Sequence, residues 1–172
     1  MRLEKILILL SSIVALALAS QASAAFVLAS GESVRGEILR SNSDIVVLVN
    51  GNDEEVTLDI ADLSAESRSE LDAWRASNPA LADVYSNFDE PPAPIRTAEP
   101  RRNLIPRGAS GMVSVAIVID ADGNVAQARI HRSQNDDLNE AALEAVNRWR
   151  FQPAKVGGSP VSCYIRVPLR FN

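Results

Sequence analysis

The chain has 172 residues, of which 47% are hydrophobic and 23% are charged. This composition is typical of a globular protein, and it excludes a fully disordered chain and a protein with several membrane spans. The formal net charge of −5 argues against nucleic acid as a partner. Because the chain has a single cysteine, Cys163, and a single histidine, His131, an internal disulfide and a zinc site of cysteine and histidine ligands are also excluded.

The charge divides the chain into an acidic part and a basic part. Residues 25–92 carry 14 acidic and 4 basic side chains, whereas residues 93–172 carry 7 acidic and 11 basic ones. Such an asymmetry indicates two modules of separate origin. We therefore expect four segments, namely a signal peptide at 1–24, an N-terminal module at 25–76, a proline-rich linker at 77–108 and a C-terminal domain at 109–172.

The first 24 residues have the layout of a secretory signal peptide. Two basic residues precede an uncharged, mostly apolar run from Ile6 to Ala19, and Ala22-Ser23-Ala24 offers the small residues of a cleavage site. We predict export from the cytoplasm with cleavage after Ala24. The alternative is an uncleaved membrane anchor, because no charge occurs between Ile6 and Leu28.

The N-terminal module is predicted to form short strands followed by one helix. The β-branched run Ile45–Val49 and the alternating run Glu55–Ile60 flank Asn50-Gly51-Asn52, which is a strong hairpin turn. Ser64 can cap the helix that follows. On the hairpin and the helix start, the stretch from Phe26 to Trp74 resembles the small SH3-like barrels called Sla homology domains. This resemblance implies a binding or spacer module without catalytic residues.

The linker is defined by its prolines. Six of the nine prolines in the chain lie between Pro79 and Pro106. Proline is excluded from helix interiors and central strands, so this segment is predicted to be a semi-rigid, extended tether.

The C-terminal domain is predicted to have the order β-β-α-β. Apolar residues alternate from Met112 to Asp120, and Val125 to Arg132 forms the return strand after a turn that contains Gly123. A helix capped by Asp137 buries a stripe that ends at Trp149. The last strand runs from Val161 to Phe171. We expect an α+β fold, with one helix on a three-stranded antiparallel sheet.

The segments GMVSVAIVIDADGNVAQARIHRS, LNEAALEAVNRWRFQPAKVGGSPV and RVPLRF resemble the TonB C-terminal domain between Gly111 and Phe171. TonB is the energy transducer of Gram-negative envelopes. The resemblance implies a periplasmic protein that binds a short extended peptide of an envelope partner, such as an outer-membrane transporter, by strand addition to the edge of its last strand. The predicted partner-binding residues of that strand are Ser162, Tyr164, Ile165, Arg166 and Arg170.

Two functions follow from this resemblance. The first is energy transduction for outer-membrane transport, with an inner-membrane motor complex as a further partner only if the N-terminus is an uncleaved inner-membrane anchor. The second is a periplasmic scaffold or peptide-binding protein without force transmission. The exposed edge also allows a homodimer. We expect no enzyme activity, no catalytic residue, no cofactor and no metal site, because no nucleotide-binding loop or nucleophile motif is present.

Overall fold

The computed structural model describes residues 24–172, so the predicted signal peptide lies outside the described residues except for Ala24. The chain folds into a mixed α+β structure dominated by strands. Within residues 24–172, none of the helices has the length and apolar character needed to cross a membrane. The N-terminal elements are β1 (Ala24–Val27), β2 (Ser33–Ser41), β3 (Ile45–Val49), β4 (Glu55–Asp59), α1 (Ala65–Ser77) and α2 (Pro79–Ala82). The remaining elements are β5 (Val84–Tyr85), β6 (Ala93–Arg96), β7 (Gly111–Ile119), β8 (Val125–Ser133), α3 (Asn139–Val146), β9 (Arg150–Gln152), β10 (Ala154–Val156) and β11 (Ser159–Phe171).

The N-terminal module is a four-stranded antiparallel sheet in the order β1-β2-β3-β4. The hairpin between β3 and β4 forms at the predicted turn, where the Asn50 side chain accepts the N–H groups of Asn52 and Glu54 at 2.9 and 3.0 Å. Ser64 caps α1 as predicted, because its hydroxyl accepts the N–H of Ser67 at 3.2 Å. The core of this module contains Phe26, Ile38, Val46, Leu48, Leu63 and Leu71.

The expected SH3-like barrel is not supported, because the N-terminal sheet is open. Its border strands β1 and β4 do not pair with each other. After β4 the chain enters a 3-10 turn at Ile60–Asp62 instead of continuing as another strand. A single bridge between Leu28 and Leu63 links the two ends of the module, which is too little pairing to close a barrel.

The C-terminal sheet has five strands where three were expected. Its order is β10-β11-β7-β8, and β5 adds to β11. The three long strands β7, β8 and β11 are antiparallel to one another where they pair, and α3 lies between β8 and β11 in the chain. The two additional strands are short pieces that the sequence pattern does not distinguish from loop. The core beneath α3 contains Val113, Val115, Ile117, Ile119, Leu138, Ala142, Ala145, Phe151, Cys163, Leu169 and Phe171.

The helix of this domain is shorter than its apolar stripe predicts. A 3-10 turn at Asp136–Leu138 precedes α3, and the side chain of Asn135, rather than that of Asp137, serves as its cap. Trp149 lies beyond the end of α3, and its indole N–H donates to the carbonyl oxygen of Ala98 at 3.0 Å. The indole therefore holds the preceding segment against the domain.

From β5 onward, the proline-rich segment at 77–108 lies along the C-terminal domain, whereas α2 at its start packs against α1 and β2. β6 pairs with β9, and Glu90 forms an isolated bridge with Lys155. The apolar side chains of Phe88, Leu104 and Ile105 pack against the C-terminal core. These residues between the prolines supply the hydrogen bonds and the apolar surface that keep the segment in place.

Replacing Gly123 with alanine is expected to destabilise the fold by at least about 2 kcal/mol. Gly123 has a φ of +83°, and a Cβ there would lie 1.8 Å from the carbonyl oxygen of Phe151. Gly158 is the matched control, because its φ is +81° but a Cβ would meet nothing within 4 Å. The control is expected to cost about 1 kcal/mol in urea denaturation. Equal losses in the two variants would show that the close approach to Phe151 has no energetic weight.

Candidate partner-binding edge

β11 is the candidate partner-binding strand because one of its edges is largely unpaired. Residues 163–171 pair with β7 in an unbroken antiparallel register of nine residue pairs. On the edge opposite β7, Ser162 and Cys163 pair in parallel with β5. Within residues 24–172, that edge has no strand partner from Tyr164 to Phe171.

The direction of the backbone groups along β11 follows from its neighbour β7. The N–H of Gln134 donates to the carbonyl oxygen of Met112 at 3.1 Å, so Met112 directs its backbone groups to the β8 side. Because these groups alternate along a strand, the odd-numbered residues of β7 face β11 and their partners are the odd-numbered residues of β11. The even-numbered residues of β11 therefore face the free edge. Pro168 is one of these even-numbered residues. Because proline has no N–H to donate to a neighbouring strand, it is tolerated at a position that faces an unpaired edge.

The five predicted site residues fall into three settings. Tyr164, Arg166 and Arg170 direct their backbone groups to the free edge and their side chains to the face opposite α3. Ser162 has the same orientation, but its edge is occupied by β5. Ile165 directs its backbone groups to β7, and its half-buried side chain packs against the core beneath α3.

The opposite border of the sheet, β8, is a poorer template for strand addition. Its register with β7 shifts twice, leaving His131 and Ala126 as extra residues in two β-bulges. Bulges twist a strand and interrupt its row of hydrogen-bonding groups, which protects an edge from further pairing. The lone histidine is thus an exposed bulge residue, and β11 is the more regular of the two borders.

Tyr164 is held in a cluster of charged side chains. The guanidinium carbon of Arg40 lies 3.7 Å from the centre of the tyrosine ring, which is a cation–π contact. Glu55 lies 3.5 Å from both the Arg40 guanidinium and the Tyr164 hydroxyl. Arg166 donates to the same hydroxyl at 3.3 Å, and this hydrogen bond raises the pKa of Arg166, which keeps the side chain charged.

The contact of the N-terminal sheet with this face of the C-terminal sheet was not predicted from the sequence. Arg40 and Glu55 belong to β2 and β4, yet they contact Tyr164 on β11. Asp53, in the hairpin before β4, forms an ion pair with Arg129 on β8. The signal that pointed to this contact was the charge asymmetry, because an acidic module and a basic domain of one chain attract each other.

Cys163 is a buried core residue at the start of the β7–β11 ladder. Its side chain is fully buried, and it is the only cysteine of the chain. Burial disfavours the thiolate and raises the pKa of the thiol to about 11, against an ordinary value of 9.0. The thiol is therefore protonated and unreactive near neutral pH.

A comparison with known protein families finds a match for the C-terminal region. Residues 102–172 match the family described as Gram-negative bacterial TonB protein C-terminal. The C-terminal region of this chain is therefore similar to the C-terminal domain of TonB proteins. The match begins at the 3-10 turn Arg102–Leu104, which precedes β7.

Two relatives with similar sequences are named protein TonB. Protein TonB of Vibrio cholerae is 36% identical over 87 residues, which cover 49% of this chain and 36% of that protein. Protein TonB of Xanthomonas campestris is 35% identical over 65 residues, which cover 37% of this chain and 29% of that protein. The match thus spans about a third of the length of these curated relatives. The solution NMR structure of the Pseudomonas aeruginosa TonB CTD is 26% identical, with a TM-score of 0.40, and covers 52% of this chain and 93% of that one.

The burial of Cys163 predicts a loss of stability in alkaline solution. The unfolded chain ionises this thiol near its ordinary pKa of 9.0, whereas the folded protein holds the proton up to about 11. Rising pH therefore favours the unfolded state in this window, by about 2–3 kcal/mol once both values are passed. Urea denaturation at about pH 8 and about pH 11 should show a larger loss for the native sequence than for Cys163→Ala. Parallel losses in the two proteins would contradict the raised pKa.

Proposed function

We propose that this chain is an exported envelope protein whose TonB C-terminal domain binds an extended peptide by strand addition to β11. The peptide belongs to an envelope partner, with the periplasmic N-terminal segment of an outer-membrane transporter as the first candidate. In this proposal the bound peptide links the chain to energy transduction for transport across the outer membrane.

The observation that carries the proposal is the unpaired edge from Tyr164 to Phe171. Its pairing with β7 is free of bulges, so the outward backbone groups form an evenly spaced row. Arg166 and Arg170 each offer an N–H and a C=O to a neighbouring strand. Tyr164 and Pro168 each offer a C=O alone, because the N–H of Tyr164 faces β5 and proline has no N–H. Such a row is what strand addition requires, because main-chain hydrogen bonds supply most of the affinity.

The side chains beside this edge define what the peptide would meet on each face. An added strand alternates its own side chains between the two faces of the sheet. On one face these side chains would lie near the half-buried Ile165 and Val167. On the other they would lie near Arg166 and Arg170, so acidic or polar residues are favoured there by charge.

A second candidate is a periplasmic scaffold that binds peptides without transmitting force. The observation in its favour is the docked segment at 77–108, because Trp149 and Lys155 hold this segment against the C-terminal domain. A transducer that reaches across the periplasm needs an extended connection to its membrane anchor, and this segment is folded back instead. Both candidates use the same β11 edge.

Strand addition predicts that Arg166→Pro weakens peptide binding about tenfold. Proline at this position removes an outward N–H and places its ring at the edge. The preceding residue, Ile165, already has the extended conformation that a following proline requires. Binding is measured by titration with synthetic peptides tiled over the periplasmic N-terminal segments of the outer-membrane transporters of the same organism.

Arg166→Ala is the matched control for this experiment. It removes the same charge and the contact with Tyr164 but keeps the backbone N–H, so binding should stay within about threefold of the native protein. Equal weakening by the two variants would assign the effect to the side chain and would contradict strand addition at this position. Circular dichroism of both variants reports whether the fold is retained.

The two candidate functions differ in the fate of the first 24 residues. Intact-mass measurement on protein from the envelope fraction is expected to show loss of residues 1–24 if the chain is a released periplasmic scaffold. A retained Met1 in the membrane pellet would instead support an anchored transducer that works with a motor complex.

A further inference from the structure

The face of the C-terminal sheet opposite α3 is covered by the N-terminal sheet. Two rows of side chains run across β8, β7 and β11 on this face, and their central members, Val118 and Ala116, are each only 2% exposed. The core beneath α3 does not include these two residues. In the first row, Val118 lies between Gln127 of β8 and Tyr164 of β11. In the second row, Ala116 lies between Arg129 of β8 and Arg166 of β11.

Contacts from the N-terminal sheet reach both rows. Arg40 stacks on Tyr164, and Leu39 lines a cleft together with Gln127. In the second row, Asp53 forms its ion pair with Arg129. We call the contacts of Arg40, Asp53 and Glu55 with the C-terminal sheet the clasp.

A second connection delivers a strand to the candidate edge. Residues 82–85, which we call the strap, end in β5, where Val84 is 3% exposed and pairs with Ser162. The strap is tied to the N-terminal sheet by the buried Ser41 hydroxyl, which donates to the carbonyl oxygen of Ala82 at 2.8 Å. Arg75 donates to the same carbonyl and forms an ion pair with Asp83 at 3.2 Å.

The clasp and the strap meet in neighbouring residues of one strand. Arg40 holds Tyr164, and Ser41, the next residue of β2, holds Ala82. A movement of β2 away from the C-terminal sheet therefore loosens both connections. The strap occupies the outward backbone groups of Ser162. Without the strap, these groups would extend the free edge of β11 towards the start of the strand.

We propose that the N-terminal sheet gates the start of the β11 edge. With the clasp closed, the strap covers Ser162 and Cys163 and faces the N–H of Tyr164, so the edge open to a partner runs from the Tyr164 carbonyl to Phe171. With the clasp released, the strap leaves and the open edge begins at Ser162. The proposal rests on the proposed function of the β11 edge, and it adds a control over how long a peptide can be bound.

The first test measures the gate without any peptide. Asp53→Asn removes the charge of the ion pair with Arg129, and asparagine tolerates the φ of +62° at this position. Hydrogen exchange at the amides of Tyr85 and Ser162, which face each other across the β5–β11 pairing, is expected to quicken roughly two- to fivefold, which is the effect of losing one partly exposed ion pair. The amide of Ile117 in the core is the internal reference and should not change.

Ser41→Ala addresses the strap more directly. It removes the buried hydroxyl that holds Ala82, so exchange at the Tyr85 amide is expected to quicken about tenfold. Ser43→Ala is the matched control, because Ser43 is an exposed serine of the adjacent turn. Unchanged exchange at Ser162 in both Asp53→Asn and Ser41→Ala would overturn the gate.

The second test asks whether the gate limits peptide length. Val84→Cys and Ser162→Cys, in a Cys163→Ala background, are joined by a short thiol crosslinker that fixes the strap on the edge. The tightest peptide of the transporter panel is then compared in a form that pairs with residues 162–171 and a form that pairs with 164–171 only. The crosslinked protein should bind the long form about tenfold more weakly than the uncrosslinked protein, and the short form equally well.

The outcomes separate the two proposals. Equal affinity of the crosslinked and uncrosslinked proteins for the long peptide would overturn the gate and leave strand addition intact. If no peptide of the panel binds, the proposed function fails, and the hydrogen-exchange test still decides whether the N-terminal sheet controls the strap.

Discussion

The antiparallel ladder between β7 and β11 is the constraint on which the other features of the C-terminal domain depend. Because side chains alternate along a strand, its register sends Cys163, Leu169 and Phe171 into the core beneath α3 and sends Tyr164, Arg166 and Arg170 to the opposite face of the sheet. The same register directs the even-numbered backbone groups of β11 outward. A slip of one residue would exchange core and surface throughout the strand, so one alignment determines the core, the second face and the free edge together.

The elements that the sequence predicts well are those with a local cause. The turn at Asn50-Gly51-Asn52 forms because the Asn50 side chain satisfies nearby backbone N–H groups, and Ser64 caps α1 through a contact three residues away. The strict alternation in β7 and β11 likewise identifies both strands and the faces they bury. The family resemblance of residues 111–171 rests on these same features.

The features that the sequence does not predict depend on contacts between distant residues. Trp149, which lies beyond the end of α3, donates a hydrogen bond to Ala98, which lies 51 residues earlier. Only two residues of the strap pair with β11, and a segment this short shows no hydrophobic periodicity that would predict a strand. The clasp includes the ion pair of Asp53 with Arg129. In the sequence, neither residue differs from an ordinary charged surface residue, so the pair becomes evident only in the folded structure. The charge asymmetry separates an acidic part of the chain from a basic part, but it does not identify the residues through which the two parts make contact.

Pro168 has a consequence for how any second chain can align with this edge. It interrupts an otherwise even row of donors between Arg166 and Arg170, because it offers a carbonyl oxygen without an N–H. A strand that shifts by two residues keeps its side chains on the same faces, but it brings a different carbonyl oxygen opposite the missing donor. Sliding along the edge therefore changes which carbonyl oxygen of the second strand is left without a donor. The proline gives the edge a fixed reference point, so that neighbouring alignments, which a uniform edge would leave equal in energy, become distinguishable.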